Sequence, residues 1–323
     1  MENSFNTLKS ASMADISIKG DAFFGYANNG SMNADNVDTN RVRLQVTGKS
    51  GGTTVNAQLR TTGTNSDAGS AYFDILSMST KIGDINVKAG DFYGTVGLGA
   101  RSATREKDNA LSLSTKVGDI KVGMFTHNGS AASGSSSTNV SAAGKIGGAA
   151  VKVIHNPSSD WTDVSLKGTF NGILVAAELW DDGSDTDNDT TLIHVGGKAG
   201  DFKWDVAQLK NDTVTASNHR FAPLGSMLVG TGARGGTSTA VANTSDFTKI
   251  TGVAVSTKVV GNTVKAIYTK NTLGADDKVT GTELILTRDV SGAKLTANLA
   301  KLSGHDTVAN NGTNKGIRFD VKF

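Results

Sequence analysis

Cysteine is absent from the 323-residue chain, and proline occurs only twice. Without cysteine there is no disulfide, no thiol nucleophile and no thiolate metal site. Scarce proline, with a formal net charge of only +2, argues against a disordered chain. The same near-neutral balance gives no pull toward nucleic acid. No apolar run approaches the roughly 20 residues of a transmembrane helix. Helical periodicity is scarce too: few windows place apolar residues at i, i+3, i+4 and i+7, and Thr, Val, Gly and Asn stand where helix formers would be needed. The N-terminal MENSFNTLKSASM has neither the basic start nor the apolar core of a signal peptide. Residues 1–13 are therefore read as a leader segment, and 14–323 as one folded domain.

What fills the chain is alternation. In residues 115–125, TKVGDIKVGMF, apolar Val117, Ile120, Val122 and Met124 alternate with Lys116, Lys121 and Gly123 on either side of Gly118-Asp119. Period-two alternation marks a strand with one apolar and one polar face, and a Gly-Asp pair between two such runs marks a tight hairpin. Related cassettes recur as KSGG (49–52), KIGD (81–84), KIGG (145–148), KAGD (198–201) and KVVGN (258–262), with weaker ones at GTFNG (168–172) and DVSG (289–292). Between them lie longer polar loops at 28–40, 62–69, 95–107, 128–137, 156–160, 181–189, 211–246, 271–280 and 303–313. Nine loops and eight turns join eighteen strands, or sixteen if a weak turn is discounted. Long and short connections alternate strictly. A soluble sandwich has no reason to put every long loop at one end, whereas a transmembrane barrel does. The reading is an all-β, closed antiparallel transmembrane barrel, too wide to be filled by its own side chains.

Tyr26, Tyr72, Tyr93, Phe125, Trp161, Trp180 and Tyr268 fall near the long-loop ends of their strands, and Phe170, Phe202, Phe319 and Phe323 toward the tight turns. Such placement suggests two interfacial girdles, though aromatics total only 6%. The polar parity carries Arg41, Arg43, Arg60, Lys116, Lys121 and Arg318 among other cations, against fewer carboxylates. Charged rings of this sign predict a weak anion preference in a pore.

The last strand, GIRFDVKF (316–323), sets Ile317, Phe319, Val321 and Phe323 on one face and ends on Phe. It resembles the C-terminal strand of Gram-negative outer-membrane porins, and the opening ADISIKGDAFFGY (14–26) is similar to their first strand. The resemblance implies a trimer of 16- or 18-stranded barrels in the bacterial outer membrane, passing small hydrophilic solutes and ions by passive diffusion. The lipid bilayer, lipopolysaccharide and the barrel-assembly machinery, which reads the terminal Phe323, are the implied partners. Porins also narrow the pore with an inward loop after the fifth or sixth strand. Here that is YGTVGLGARSATREK (93–107), whose Arg101, Arg105 and Glu106 would stand at the constriction. The longer loop at 211–246 could equally fold inward or form a lid.

No enzyme constellation appears. The five histidines are scattered, no HExxH or P-loop is present, and GTGARGG (230–236) lacks a βαβ setting. No cofactor is expected beyond Ca²⁺, for which Asp182, Asp185, Asp187 and Asp189 of the loop DDGSDTDND could offer hard oxygen ligands. That loop lacks the EF-hand spacing, and a solvated acidic loop is the favoured reading. The alternative function is a secreted β-repeat protein stacked into a sheath or surface layer.

Overall fold

The computed structural model describes residues 15–27, 40–61, 71–94, 97, 109–128, 136–183, 189–212, 223–225, 247–273, 277–304 and 312–323. The expected leader, 1–13, lies outside them. Eighteen strands are present: β1 (Asp15–Ala27), β2 (Asn40–Ser50), β3 (Thr53–Thr61), β4 (Ala71–Ile82), β5 (Ile85–Asp91), β6 (Ala110–Val117), β7 (Ile120–Asn128), β8 (Ser136–Ile146), β9 (Ala149–His155), β10 (Thr162–Phe170), β11 (Ile173–Asp181), β12 (Thr190–Ala199), β13 (Phe202–Asn211), β14 (Phe247–Val259), β15 (Asn262–Leu273), β16 (Asp277–Val290), β17 (Ala293–Ser303) and β18 (Gly312–Lys322). Each pairs antiparallel with the next, and β18 pairs with β1 from Asp21↔Lys322 to Ala27↔Gly316. The sheet is thus a closed barrel, and the eighteen-strand count holds over sixteen.

One residue beyond β18, the Phe323 N–H donates to the Gly20 carbonyl at 3.0 Å and the Phe323 carbonyl accepts from Gly20 N–H at 2.6 Å. The Phe323 ring lies over Gly20, where any Cβ would collide with it. The seam therefore closes on an aromatic ring seated against a residue with no side chain.

Two-residue turns join the eight hairpins at one rim. Asn171-Gly172, Ser291-Gly292 and Val260-Gly261 have positive φ at both positions, the type I′ pattern whose twist matches paired strands. Val260 is the odd member, a β-branched residue at φ 47°.

Polarity runs outward-apolar. Ile16 (68% exposed) and Ile146 (72%) stand on the outer face, while Asp163, Glu178 and Arg318 are buried inside. Two expectations are corrected. Both flanks of the expected loop 271–280 are wall: β15 runs to Leu273 and β16 starts at Asp277, paired through Asn271↔Val279 and Leu273↔Asp277, and 274–276 lie outside the described residues. The segment's Asn, Gly and Asp residues look turn-like locally, but Asn271 and Val279 are fully buried, so tertiary packing decides. The loop-side girdle is also largely inside. Tyr72 pairs with Arg60 on the inner parity, Phe125 pairs with the inner Ser112, and Trp161 and Trp180 are buried with Ile154. Tyr268 does face outward, joined by Phe24 and Phe73, and the turn-side Phe170, Phe202, Phe319 and Phe323 are all exposed. The side chain of Tyr26 lies outside the described residues.

Candidate functional site

The candidate site is the inner wall, with the segments that reach across to it. Strand alternation aims every second side chain inward, so the register gives the lining directly. At the closing seam, Asp21 of β1 accepts from Arg43 Nε at 2.9 and 3.0 Å and from Arg41 Nη2 at 3.5 Å. Arg318 of β18 donates to Asp320 through Nε at 2.9 Å and through Nη2 at 2.5 Å. Between these pairs sits Phe23, buried, with the Arg41 guanidinium 4.5 Å and the Arg318 guanidinium 4.6 Å from its ring centroid. Cation–π contacts of this kind hold both guanidiniums against the wall. Arg60 lies 4.0 Å from Asp74. The structure thus brings Arg41 and Arg318 together on Phe23, joins Arg43 to Arg41 through Asp21, and places Arg60 directly across from Arg43 on β3.

Lys116 and Lys121 face each other across β6 and β7 beside the Gly118-Asp119 turn, exposed, and form no ion pair among the described residues. Arg101, Arg105 and Glu106 lie outside the described residues. The root of their loop is nonetheless fixed. The Tyr93 hydroxyl donates to Asp74 at 2.5 Å, and Gly94 sits flat against the Phe125 ring. Gly97, at φ 55°, presses so closely on Asp163 and Glu178 that a side chain there would collide with both. From the end of β5 the chain has therefore crossed to the inner face of β10 and β11.

The loop after β13 also reaches inside. Leu224 is fully buried against an inner patch made by Leu209, Ile250, Ile267, Val279 and Ile285 among others, and it lies over Gly252 of β14. This apolar stretch of lumen wall escaped the sequence reading, which made the inner face polar throughout. A signal was present: in β13 and β14 both parities carry apolar residues, with Val206 and Val253 outward and Leu209 and Ile250 inward. A strand apolar on both faces needs cover on both. Asp205, Asp163 and Asp74 were likewise missed as inner carboxylates. Asp205 takes His194 at 3.0 Å and Lys203 at 3.4 Å.

At the loop rim, Asp182 and Asp189 come together with Asp181, their carboxylates within 4.8 Å of one another. Asp185 and Asp187 lie outside the described residues. Bound through one oxygen each, these three carboxylates would supply three of the 6–8 oxygens that Ca²⁺ takes. The carboxyl of Asp189 is pushed above the usual range, first by burial and then by Asp181, Asp212 and Asp182, against a backbone N–H from Asp182 that lowers it.

No family model and no curated protein matches the sequence. Solved structures do match the barrel. It is similar to Pseudomonas aeruginosa OccK9 (OpdG), with a TM-score of 0.66 at 12% identity over 96% of this chain and 98% of that one. Wzi, an Escherichia coli outer membrane protein involved in group 1 capsule assembly and a carbohydrate-binding β-barrel, gives 0.63 at 11% identity over 99% and 87%. A mutant of the Rh. blastica porin gives 0.53 at 14% identity over 96% and 100%. The fold of this chain is that of the outer-membrane porin barrels.

Proposed function

We propose that the chain is a bacterial outer-membrane porin, a passive water-filled channel for small hydrophilic solutes and ions with a weak preference for anions. The observation that carries this reading is the inversion of polarity across a closed wall: exposed Ile, Val, Leu and Phe outside, buried acidic, basic and polar side chains inside. In hydrocarbon every backbone group must be satisfied within the protein, and a closed barrel does that without an edge. Closure also counts against the sheath alternative, because stacking into a polymer needs a free edge and β1 and β18 use theirs on each other.

The anion preference shifts from arginine to lysine. Arg41, Arg43, Arg60 and Arg318 each have a carboxylate within 4.0 Å, so the uncompensated positive charge comes from lysines such as Lys116 and Lys121. Constriction is shared between the loop of Gly97, with Arg101, Arg105 and Glu106, and the loop of Leu224. A homotrimer embedded among lipopolysaccharide, with Phe323 presented for assembly, belongs to the same reading; the outward, 62% exposed ring of Phe323 supports it. Liposome swelling with sugars of graded size tests the function. Uptake that falls with solute size is expected; liposomes that stay impermeable to the smallest sugar would refute it.

A further inference from the structure

The inner wall of β5 to β9 contains a recess of about 370 Å³. Its shape follows from register. One row across the sheet sets Ser114, Gly123 and Ser141 side by side. The next row toward the loops sets Lys88, Ser112, Phe125 and Asn139 in line. The next row toward the turns sets Lys121, Ala143 and Lys152. The floor is therefore made of the smallest side chains in the wall, and Lys88, Phe125, Asn139, Lys121 and Lys152 stand round it as a rim.

The rim is held in place. Phe92 meets Phe125 edge to face at 5.6 Å, and Lys88 Nζ lies 4.1 Å from the centroid of the Phe92 ring. Gly94 packs on the other ring, Phe125, so the loop root braces it. Lys121 and Lys152 flank Ala143 with their backbones two strand spacings, about 10 Å, apart. Asp163 and Glu178 act on Lys152 from the far side, and Lys121 opposes it from the near side. Positive charge thus converges on the recess mainly from Lys88 and Lys121, with Lys152 shared.

We propose that this recess is a binding subsite for phosphate dianions, free or as small phosphate esters, on their way through the lumen. The proposal rests on the channel reading. A tetrahedral dianion can accept from ammonium groups on two sides of the recess and from the Ser114 and Ser141 hydroxyls beneath, and charge-assisted bonds of this kind are the strong ones. Chloride offers one charge and no set of directed acceptors, so it gains less from the same groups.

The test is single-channel recording of the reconstituted protein in chloride, with inorganic phosphate or glycerol phosphate added. Each is expected to reduce chloride current in a saturable way. Lys88→Gln with Lys121→Gln should raise the half-blocking concentration about ten-fold, a loss of about 1.4 kcal/mol. Ser114→Leu, which fills the floor and keeps every charge, should raise it as well. A lower half-blocking concentration for glycerol phosphate assigns the recess to esters, and the reverse order assigns it to the free ion. Unblocked chloride current at all phosphate concentrations, or equal block in wild type and both variants, would overturn the subsite while leaving the channel intact. Absence of any chloride current would instead overturn the channel reading.

Discussion

Val260 stands 90% exposed in a turn at φ 47°, a region where Cβ and carbonyl crowd each other by roughly 1–2 kcal/mol. Nothing packs on the side chain to compensate. Val260→Asn keeps the turn and removes the β-branch, so it should stabilise the barrel by about 1 kcal/mol. Urea denaturation followed by the mobility of unheated protein on gels reads this; an unchanged or lower midpoint would show that the turn is not strained. Asp189 gives a second residue-scale prediction. Its raised pKa means that ionisation is less favourable in the folded loop than in the unfolded chain. The penalty is absent below the unfolded carboxylate pKa, grows as pH rises toward the raised folded value, and is fully present above it. Because Asp189 is only half-buried at the loop rim, solvent screening keeps the effect small. Asp189→Asn should therefore raise the urea midpoint slightly at pH 7 and leave it unchanged at pH 3. A gain of equal size at both pH values would place the cause elsewhere. Neither local feature was fully legible beforehand. KVVGN was recognisable as a loosened turn, but strain at Val260 depends on a backbone angle. The cluster at Asp189 depends on Asp181 and Asp212 converging from two strand ends.

Elements were more legible than the contacts between them. The turn cassettes and the alternating parities located all eighteen strands, because pleating couples local sequence to facing directly. Three things depended on distant chain. Phe23 reads as one aromatic in an apolar run, yet it is the pivot between Arg41 and Arg318. Trp161 and Trp180 read as girdle residues and are buried with Ile154 instead. Leu224 lies in a polar loop, and only the inner apolar patch of β13 to β16 explains its burial. That last contact makes an element-scale prediction. Deleting a buried Leu typically costs about 2–5 kcal/mol, here chargeable to the loop rather than to the barrel. Leu224→Asp should leave the unheated gel mobility intact and increase single-channel conductance and current noise. Unchanged conductance would show that the loop does not obstruct the lumen. The seam makes another. Gly20→Val should reduce the yield of folded barrel, because its side chain would displace the Phe323 ring. Gly48→Val, at an outer position one strand away with open space around it, should not. Equal yields from the two variants would remove the closing role assigned to Gly20.

At the scale of the whole molecule, one wall is basic and open, made of β5 to β9. Elsewhere the inner wall carries an apolar patch, contributed by β12 to β16 and covered by Leu224. The loop of Gly97 crosses between β5 and the carboxylates of β10 and β11. Ions passing such an interior would run along the lysine-bearing side. The arginines near the seam are engaged by Asp21, Asp74 and Asp320 and contribute little net charge. The measurement that tests this most directly is the reversal potential of the reconstituted protein in a planar bilayer across a KCl gradient. Discrete conductance steps and a reversal potential displaced modestly toward the chloride equilibrium value are expected. A displacement toward the potassium value would contradict the lysine-lined path, and a bilayer that never conducts would contradict the channel itself.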